Sequence, residues 1–193
     1  KGNILVDNNG LAIAGETKSL GEVAPKFNLG GTTSFRYKKI TLAATFDWKN
    51  GGVMYSGTNS LLDTYGLSAK TGNRDELLVQ EGVTADGQPN TKAATKEATY
   101  TVYSNIAETA IYDASFVKLR ELSLGYTLPK SVFNGAKINS IYISAFARNL
   151  LTFNKDLPNV DPESMYTSGN GQGFEYGSLP FRRSYGFNIK VTF

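Results

Sequence analysis

The stretch Tyr185-Gly-Phe-Asn-Ile-Lys-Val-Thr-Phe193 decides the fold. Tyr185, Phe187, Ile189, Val191 and Phe193 fall on one side of an extended chain, and Gly186, Asn188, Lys190 and Thr192 on the other. A period of two defines a β-strand with one apolar and one polar face. The sequence stops on an aromatic residue with no polar tail. Ends of water-soluble domains usually fray into solvent. A strand that faces lipid and closes a barrel against a neighbour is expected to end in this way.

Four further segments alternate. Residues 27–37 set Phe27, Leu29, Phe35 and Tyr37 against Asn28, Thr32, Ser34 and Arg36. Residues 40–49 set Ile40, Leu42, Ala44, Phe46 and Trp48 against Thr41, Ala43, Thr45 and Asp47. Residues 116–128 set Leu122, Leu124, Tyr126 and Leu128 against Glu121, Ser123, Gly125 and Thr127. Residues 140–153 set Ile141, Ile143, Ala145 and Ala147 against Tyr142, Ser144, Phe146 and Arg148. The last strand spans 181–193. No stretch keeps a 3.6-residue period, although 75–82 has room for a short helix.

The connections alternate too. A tight turn at Lys38-Lys39 joins the first pair, and 50–115 separates the second strand from the third. Pro129–Asn139 is short, and 154–180 is long and rich in Gly, Ser and Asn. Outer-membrane barrels alternate short periplasmic turns with long extracellular loops. Structureless loops above about 15 residues are uncommon in compact soluble domains. The parity predicts extracellular loops over 1–26, 50–115 and 154–180, with Phe193 at the periplasmic rim. Tyr37, Phe46, Trp48, Tyr126, Phe153 and Phe193 lie near strand ends, where interfacial aromatic girdles belong. Five strands are too few, because roughly eight are needed to close a barrel. The expected fold is therefore all-β: the C-terminal portion of a transmembrane antiparallel barrel, with 1–193 one part of it. A start at Lys1-Gly2-Asn3, without Met, agrees with a processed product or fragment.

Composition narrows the functions. The chain has 193 residues, of which 40% are hydrophobic, with 11 Tyr, 11 Phe, one Trp and 20 Gly. It has no Cys and no His. That removes disulfide scaffolds, Cys metal sites and the commonest general base. A net charge of +3 is too small and dispersed for nucleic-acid binding. No apolar run approaches the roughly 20 residues of a spanning helix, a test that barrel strands escape.

The stretch Asp113-Ala-Ser-Phe-Val-Lys-Leu-Arg-Glu-Leu-Ser-Leu-Gly-Tyr-Thr-Leu-Pro-Lys130 resembles a hallmark of the SusC/RagA family of TonB-linked outer-membrane transporters of Bacteroidota. Ala147-Arg-Asn-Leu-Leu-Thr-Phe153, Val160-Asp-Pro-Glu163, and Ser178-Leu-Pro with Arg183 to Phe193 are similar to the same family. Gly21 to Phe27 and Phe46 to Gly52 fit as well. The resemblance implies a 22-stranded barrel of which this is the last part. It implies a plug and a TonB-contacting segment in a region this chain does not contain. It implies a SusD-like surface lipoprotein that lids the barrel, and a glycan or peptide cargo driven by the proton-motive force. Ser184-x-Gly186-x-x-Ile189-x-Val191 fits the barrel-assembly signal, with Thr192-Phe193 added; counting back from Phe193 instead puts Asn188 at the glycine position. Gly186, Ile189, Val191 and Phe193 are thus expected to serve assembly and closure.

Tyr166, Phe174 and Tyr176 in the last long loop are candidates for contact with ligand or lid, the alternative being rings that anchor the loop. Asp7-Asn8-Asn9-Gly10 has the look of a calcium loop but lacks the remaining ligands, so a turn is expected. Asp63, Asp75, Glu76 and Glu81, near Lys70 and Arg74, read as solvated surface. No residue pattern supports catalysis, and no cofactor is expected. Two other function classes remain open: a soluble, secreted glycan-binding β-sandwich and a passive porin-type barrel.

Parity assigns Glu121, Ser123, Thr127, Ser144, Arg148, Asn188 and Lys190 to a wet lumen. It assigns Leu122, Leu124, Ile141, Ile143, Phe187, Ile189 and Val191 to lipid. Arg120 falls opposite Glu121 and, with Lys118, is placed to snorkel toward head groups. On this assignment Leu124→Arg destabilises the assembled protein by roughly 2–4 kcal/mol and Ser123→Arg by much less. Equal losses in a folding titration would reject the two faces.

Overall fold

The computed structural model describes residues 2–133, 137–153 and 155–193. Lys1, Asn134–Ala136 in the expected turn and Asn154 at the head of the expected loop lie outside the described residues. In chain order the strands are β1 (Phe27–Tyr37), β2 (Ile40–Asn50), β3 (Val53–Ser56), β4 (Leu77–Val79) and β5 (Ala93–Thr95). They continue with β6 (Ile111–Asp113), β7 (Phe116–Thr127), β8 (Ser140–Phe153), β9 (Phe174–Glu175) and β10 (Ser184–Thr192). Helix α1 (Gly57–Thr64) follows β3, and α2 (Lys96–Tyr103) follows β5. Among the described residues no helix is long and apolar enough to cross a membrane, which leaves crossing by strands open. The chain divides into two units: Lys1–Val23, Val53–Tyr112 and Pro158–Leu179 form the first, and Ala24–Gly52, Asp113–Leu157 and Pro180–Phe193 the second.

The second unit holds a five-stranded sheet in the order β1-β2-β7-β8-β10. Every pairing in it is antiparallel. The alternation of each strand fixes the register. Lys38 turns the β1–β2 hairpin with φ 53°, and Thr32 pairs with Thr45, their hydroxyl oxygens 3.0 Å apart. Leu124 lies opposite Ala145 and Leu42, and Ile189 opposite Ile143. Apolar residues thus share one face and polar residues the other. The apolar face is open: Phe187 is 82% exposed and Phe35 67%. A β-sandwich would need a second sheet against that face, and the described residues of this unit form one sheet only.

One expectation about this sheet is corrected. The register of β7 shifts against both neighbours at the same level, between Leu119 and Glu121. Thr45 faces Glu121 while Phe46, the next residue, faces Leu119, so Arg120 is the extra residue of a β-bulge. Beyond the bulge the alternation restarts out of phase. Lys118 lies opposite Asp47 on the polar face, and Leu119 and Val117 lie opposite Phe46 and Trp48 on the apolar one. Arg120 follows, donating from Nε and Nη2 to Asp47 Oδ2 at 3.2 and 2.5 Å. Neither cation sits on the apolar face as strict parity predicted.

The last strand begins at Ser184 and not at 181. Pro180 has no N–H for a ladder. Phe181 turns toward Lys118, whose ammonium is 5.6 Å from its ring centre and 4.8 Å from that of Phe116. The Arg182 carbonyl accepts from Asn149 Nδ2 at 3.2 Å.

The first unit is built from short pieces. Ser56 caps α1 by accepting from Asn59 N, and Thr95 caps α2 by accepting from Ala98 N. Residues 75–82 are not helical: Leu77–Val79 pairs antiparallel with Ala93–Thr95. Asn73 and Asp75 could cap a helix there, but the pairing with Ala93–Thr95 draws the segment into a strand. Strands β6, β3 and β9 form a second small sheet, in which β9 runs parallel to β3.

Two glycines of the polar face lie under rings of β8. Gly186 is opposite Phe146, whose Cζ is 2.5 Å from where a Cβ would stand, and Gly125 lies beneath Tyr142. Gly186→Val is expected to cost about 1–3 kcal/mol by overpacking. Phe146→Ala in the same chain should return at least about 0.5 kcal/mol of that as coupling. Strict additivity in a urea titration of the double-mutant cycle would show that the ring is not the obstacle.

Candidate functional site

The first unit fixes its last loop through a buried carboxylate. Along Phe174-Glu175-Tyr176 the alternation of β9 turns Glu175 inward, where it is fully buried, and leaves Phe174 and Tyr176 exposed. Glu175 Oε2 accepts from Ser56 Oγ at 2.7 Å. Its Oε1 accepts from Thr58 Oγ1 at 2.6 Å and from Ser178 N at 3.0 Å. Ser56 Oγ also accepts from Asn59 Nδ2 at 2.9 Å, and Asn59 Oδ1 accepts from Asn159 Nδ2 at 2.7 Å. One hydrogen-bonded chain therefore ties the start of α1 to residues 158–178. Burial pushes the Glu175 carboxyl up, but the donors Thr58, Ser56 and Ser178 outweigh it and hold the group below the usual carboxylate range.

The three rings expected from the sequence gather around this clamp. Phe174 meets Tyr55 with ring centres 5.8 Å apart, and Tyr176 covers Gly57. Tyr166 N donates to the Phe174 carbonyl at 2.7 Å. Yet Tyr166, Phe174 and Tyr176 remain 69%, 53% and 56% exposed. Anchoring and presentation are combined: one edge of each of the last two rings holds the loop, and the rest faces outward.

In the second unit, Glu121 and Arg148 are brought together. They are direct partners across β7 and β8, and Arg148 Nε donates to Glu121 Oε2 at 2.8 Å. The Arg148 guanidinium also lies 5.0 Å from the centre of the Phe146 ring. Ser123 is on the same polar face, opposite Phe146 and Ala43. Ile189 and Val191 are on the apolar face of β10, Gly186 is on its polar face, and Phe193 lies just past the strand.

Asp7-Asn8-Asn9-Gly10 closes on itself. Asp7 Oδ1 accepts from Asn9 N and Leu11 N, both at 2.9 Å, and Gly10 has φ 79°. Those bonds hold Asp7 below the usual carboxylate range, the Leu11 N–H contributing most. Among the described residues no group of three or more His, Cys, Asp or Glu is arranged to hold a metal ion. The charged residues of 50–115 form ion pairs: Lys70 with Asp63 and Lys96 with Glu76, both at 2.6 Å, and Arg74 with Glu97 at 2.7 Å. Such partly exposed pairs are worth about 0–1 kcal/mol each.

The burial of Glu175 and the pairing of Arg120 with Asp47 are not foreseen from the sequence. Glu175 left a signal in the aromatic–acid–aromatic alternation at 174–176. The Arg120 bulge leaves none, because strict alternation carries no mark of an inserted residue.

An open antiparallel sheet with one apolar and one polar face, interrupted by a long insertion, has the form of a segment of β-barrel wall. No family model matches the chain. TonB-dependent receptor P3 of Formosa agariphila is 29% identical over 194 residues, a match that covers 97% of this chain and 18% of the receptor. The chain therefore spans less than a fifth of that relative. A solved RagAB peptide transporter matches with a TM-score of 0.62 at 22% identity, over 92% of this chain and 18% of that one. The RagAB peptide importer in its open-open state matches with a TM-score of 0.54 at 24% identity, over 89% and 17%. The chain shares the fold of the matching part of the RagAB structures and is similar in sequence to a protein named as a TonB-dependent receptor, so the resemblance to SusC/RagA transporters is borne out.

Because its carboxyl is lowered, Glu175 stabilises the loop above the ordinary carboxylate range and loses that contribution as pH falls through its own lowered value. Hydrogen exchange on the whole protein reads this out. Glu175→Ala should make residues 174–178 open about 1–3 kcal/mol more easily at neutral pH. Wild-type protection, corrected for the intrinsic rate, should fall as pH drops beneath the ordinary carboxylate range while that of Glu175→Gln stays flat. Unchanged protection in Glu175→Ala would refute the clamp.

Proposed function

We propose that the whole protein is an outer-membrane transporter that imports glycan or peptide, driven through TonB, as the pore-forming partner of a SusD-like surface lipoprotein. The observation that carries this reading is the five-stranded sheet. Its open apolar face suits lipid, and its polar face, with Glu121, Ser123 and Arg148, suits a water-filled lumen. The relatives are named as a receptor and a peptide importer, which supports a transport role over an enzymatic one. In this reading the open edges at β1 and β10 pair with strands of the same barrel, since unpaired backbone in lipid costs several kcal/mol per group. The mechanism is capture under the lid, displacement of the plug through TonB, and passage along the polar wall. Gly186, Ile189, Val191 and Phe193 serve closure and assembly.

Tyr166, Phe174 and Tyr176 are assigned to the contact with lid or ligand. Their exposure and the rigid Glu175 clamp support this, because preordered rings lose little entropy on binding.

Deleting the gene in its host should abolish uptake of one glycan or peptide class, and disabling TonB should abolish it equally. Uptake that persists without TonB would indicate a passive porin instead. Replacing the three rings together by alanine should weaken co-purification of the lipoprotein or binding of cargo at least about tenfold, the scale of an interface anchor. If both are unaltered, the rings only anchor the loop.

A further inference from the structure

The first unit contains a second recess, away from the aromatic loop. A cleft of about 150 Å3 lies between α1, the turn Ala69–Thr71 and α2. Its walls include Ser60, Asp63, Lys70, Tyr100, Tyr103 and Ser104. A water needs only about 10–15 Å3 on such a measure, so the cleft holds a molecule of several heavy atoms.

The chemistry of the walls is selective. Lys70 Nζ is 2.6 Å from Asp63 Oδ2 and 5.6 Å from the centre of the Tyr100 ring. Burial pushes Lys70 down, but the bond to Asp63 and its charge outweigh that, so the pair stays ionised and cancels to neutral. Burial pushes the Tyr103 phenol up, which keeps it protonated and a donor. Ser104 Oγ gives its hydrogen to the Thr101 carbonyl at 2.7 Å. Thr109, also in the wall, gives its own to the Tyr103 and Ile106 carbonyls at 2.9 and 2.8 Å. Both hydroxyl oxygens keep lone pairs for a ligand. Tyr100 and Tyr103 meet edge to face at 5.8 Å and supply apolar ring surface.

We propose that this cleft binds one neutral, multiply hydroxylated ring, that is, a single sugar residue. Its walls carry both donors and acceptors, as a ring of hydroxyls requires, and the two tyrosines supply ring surface for its C–H faces. The charged ends of a short peptide find no uncompensated partner, because Lys70 and Asp63 neutralise one another. The proposal rests on the import reading in one respect, that cargo reaches this unit, and narrows that reading toward glycan.

The test is saturation-transfer NMR on the full-length protein in detergent. The probes are methyl glucoside, methyl galactoside and methyl mannoside, with glucuronate and diglycine as comparators. At least one methyl hexoside should bind, and Tyr103→Phe should weaken it about fivefold, the loss of one neutral hydrogen bond. Asp63→Asn should weaken it as well, while both variants keep the wild-type melting temperature. Binding of diglycine or glucuronate in preference to every hexoside overturns the proposal. So does the absence of hexoside binding, or binding indifferent to Tyr103→Phe and Asp63→Asn. If hexoside binding passes these tests but gene deletion leaves uptake intact, the import reading falls and the sugar cleft stands. If uptake is lost on deletion and no hexoside binds, the reverse holds.

Discussion

In an antiparallel ladder each side chain is committed to a face by its partner across the strand. A slip of one residue would exchange the two faces of a whole strand. The sheet β1-β2-β7-β8-β10 depends on this constraint throughout, because its faces differ so sharply in polarity. The bulge at Arg120 shows how the constraint is met where the sequence breaks phase. One extra residue lets Glu121 and Ser123 keep the polar face on one side of the break and Lys118 keep it on the other. Without the extra residue, Lys118 would emerge among Phe46, Trp48 and Phe153. With it, Lys118 lies over Phe116 and Phe181, and Arg120 reaches Asp47. The adjoining strand bends to the same demand, with Asn149 at φ 51° close to the shift.

The two units are held by different physics. In the sheet, backbone ladders do most of the work, and side chains on both faces are free to serve the surroundings. In the loop unit the apolar interior is small: Val6, Met54, Ala110 and Val160 are buried, but so are Ser56, Asn59, Thr71, Thr99 and Glu175. Buried polar groups of this kind have strict geometry and low tolerance for a missing partner. They give the loops a defined shape where a larger apolar core would not fit.

This difference decides what the sequence displayed. The sheet was legible because alternation is a local signal: each strand carries its own face in five or more residues, as in Tyr185 to Phe193. The short–long order of connections added direction. The capped helices at 57–64 and 96–103 were hidden, since two turns are too short for a 3.6-residue period to stand out. The Glu175 clamp was hidden for another reason. Ser56 and Glu175 are 119 residues apart, and nothing near either one signals the other. The cleft around Lys70 unites α1, a single turn and α2 in the same way, so its charges looked like scattered surface charges.

The rings of β8 over Gly125 and Gly186 carry a consequence for descent. While Tyr142 and Phe146 stand where they do, a side chain at either glycine must displace the far end of a ring. Each position is therefore coupled to its ring. A side chain gained at 186 is tolerated more readily where residue 146 is smaller or its ring has turned aside. Strand β8 therefore acts as a template whose aromatic residues favour glycine in its neighbours, linking the histories of three strands through two rings.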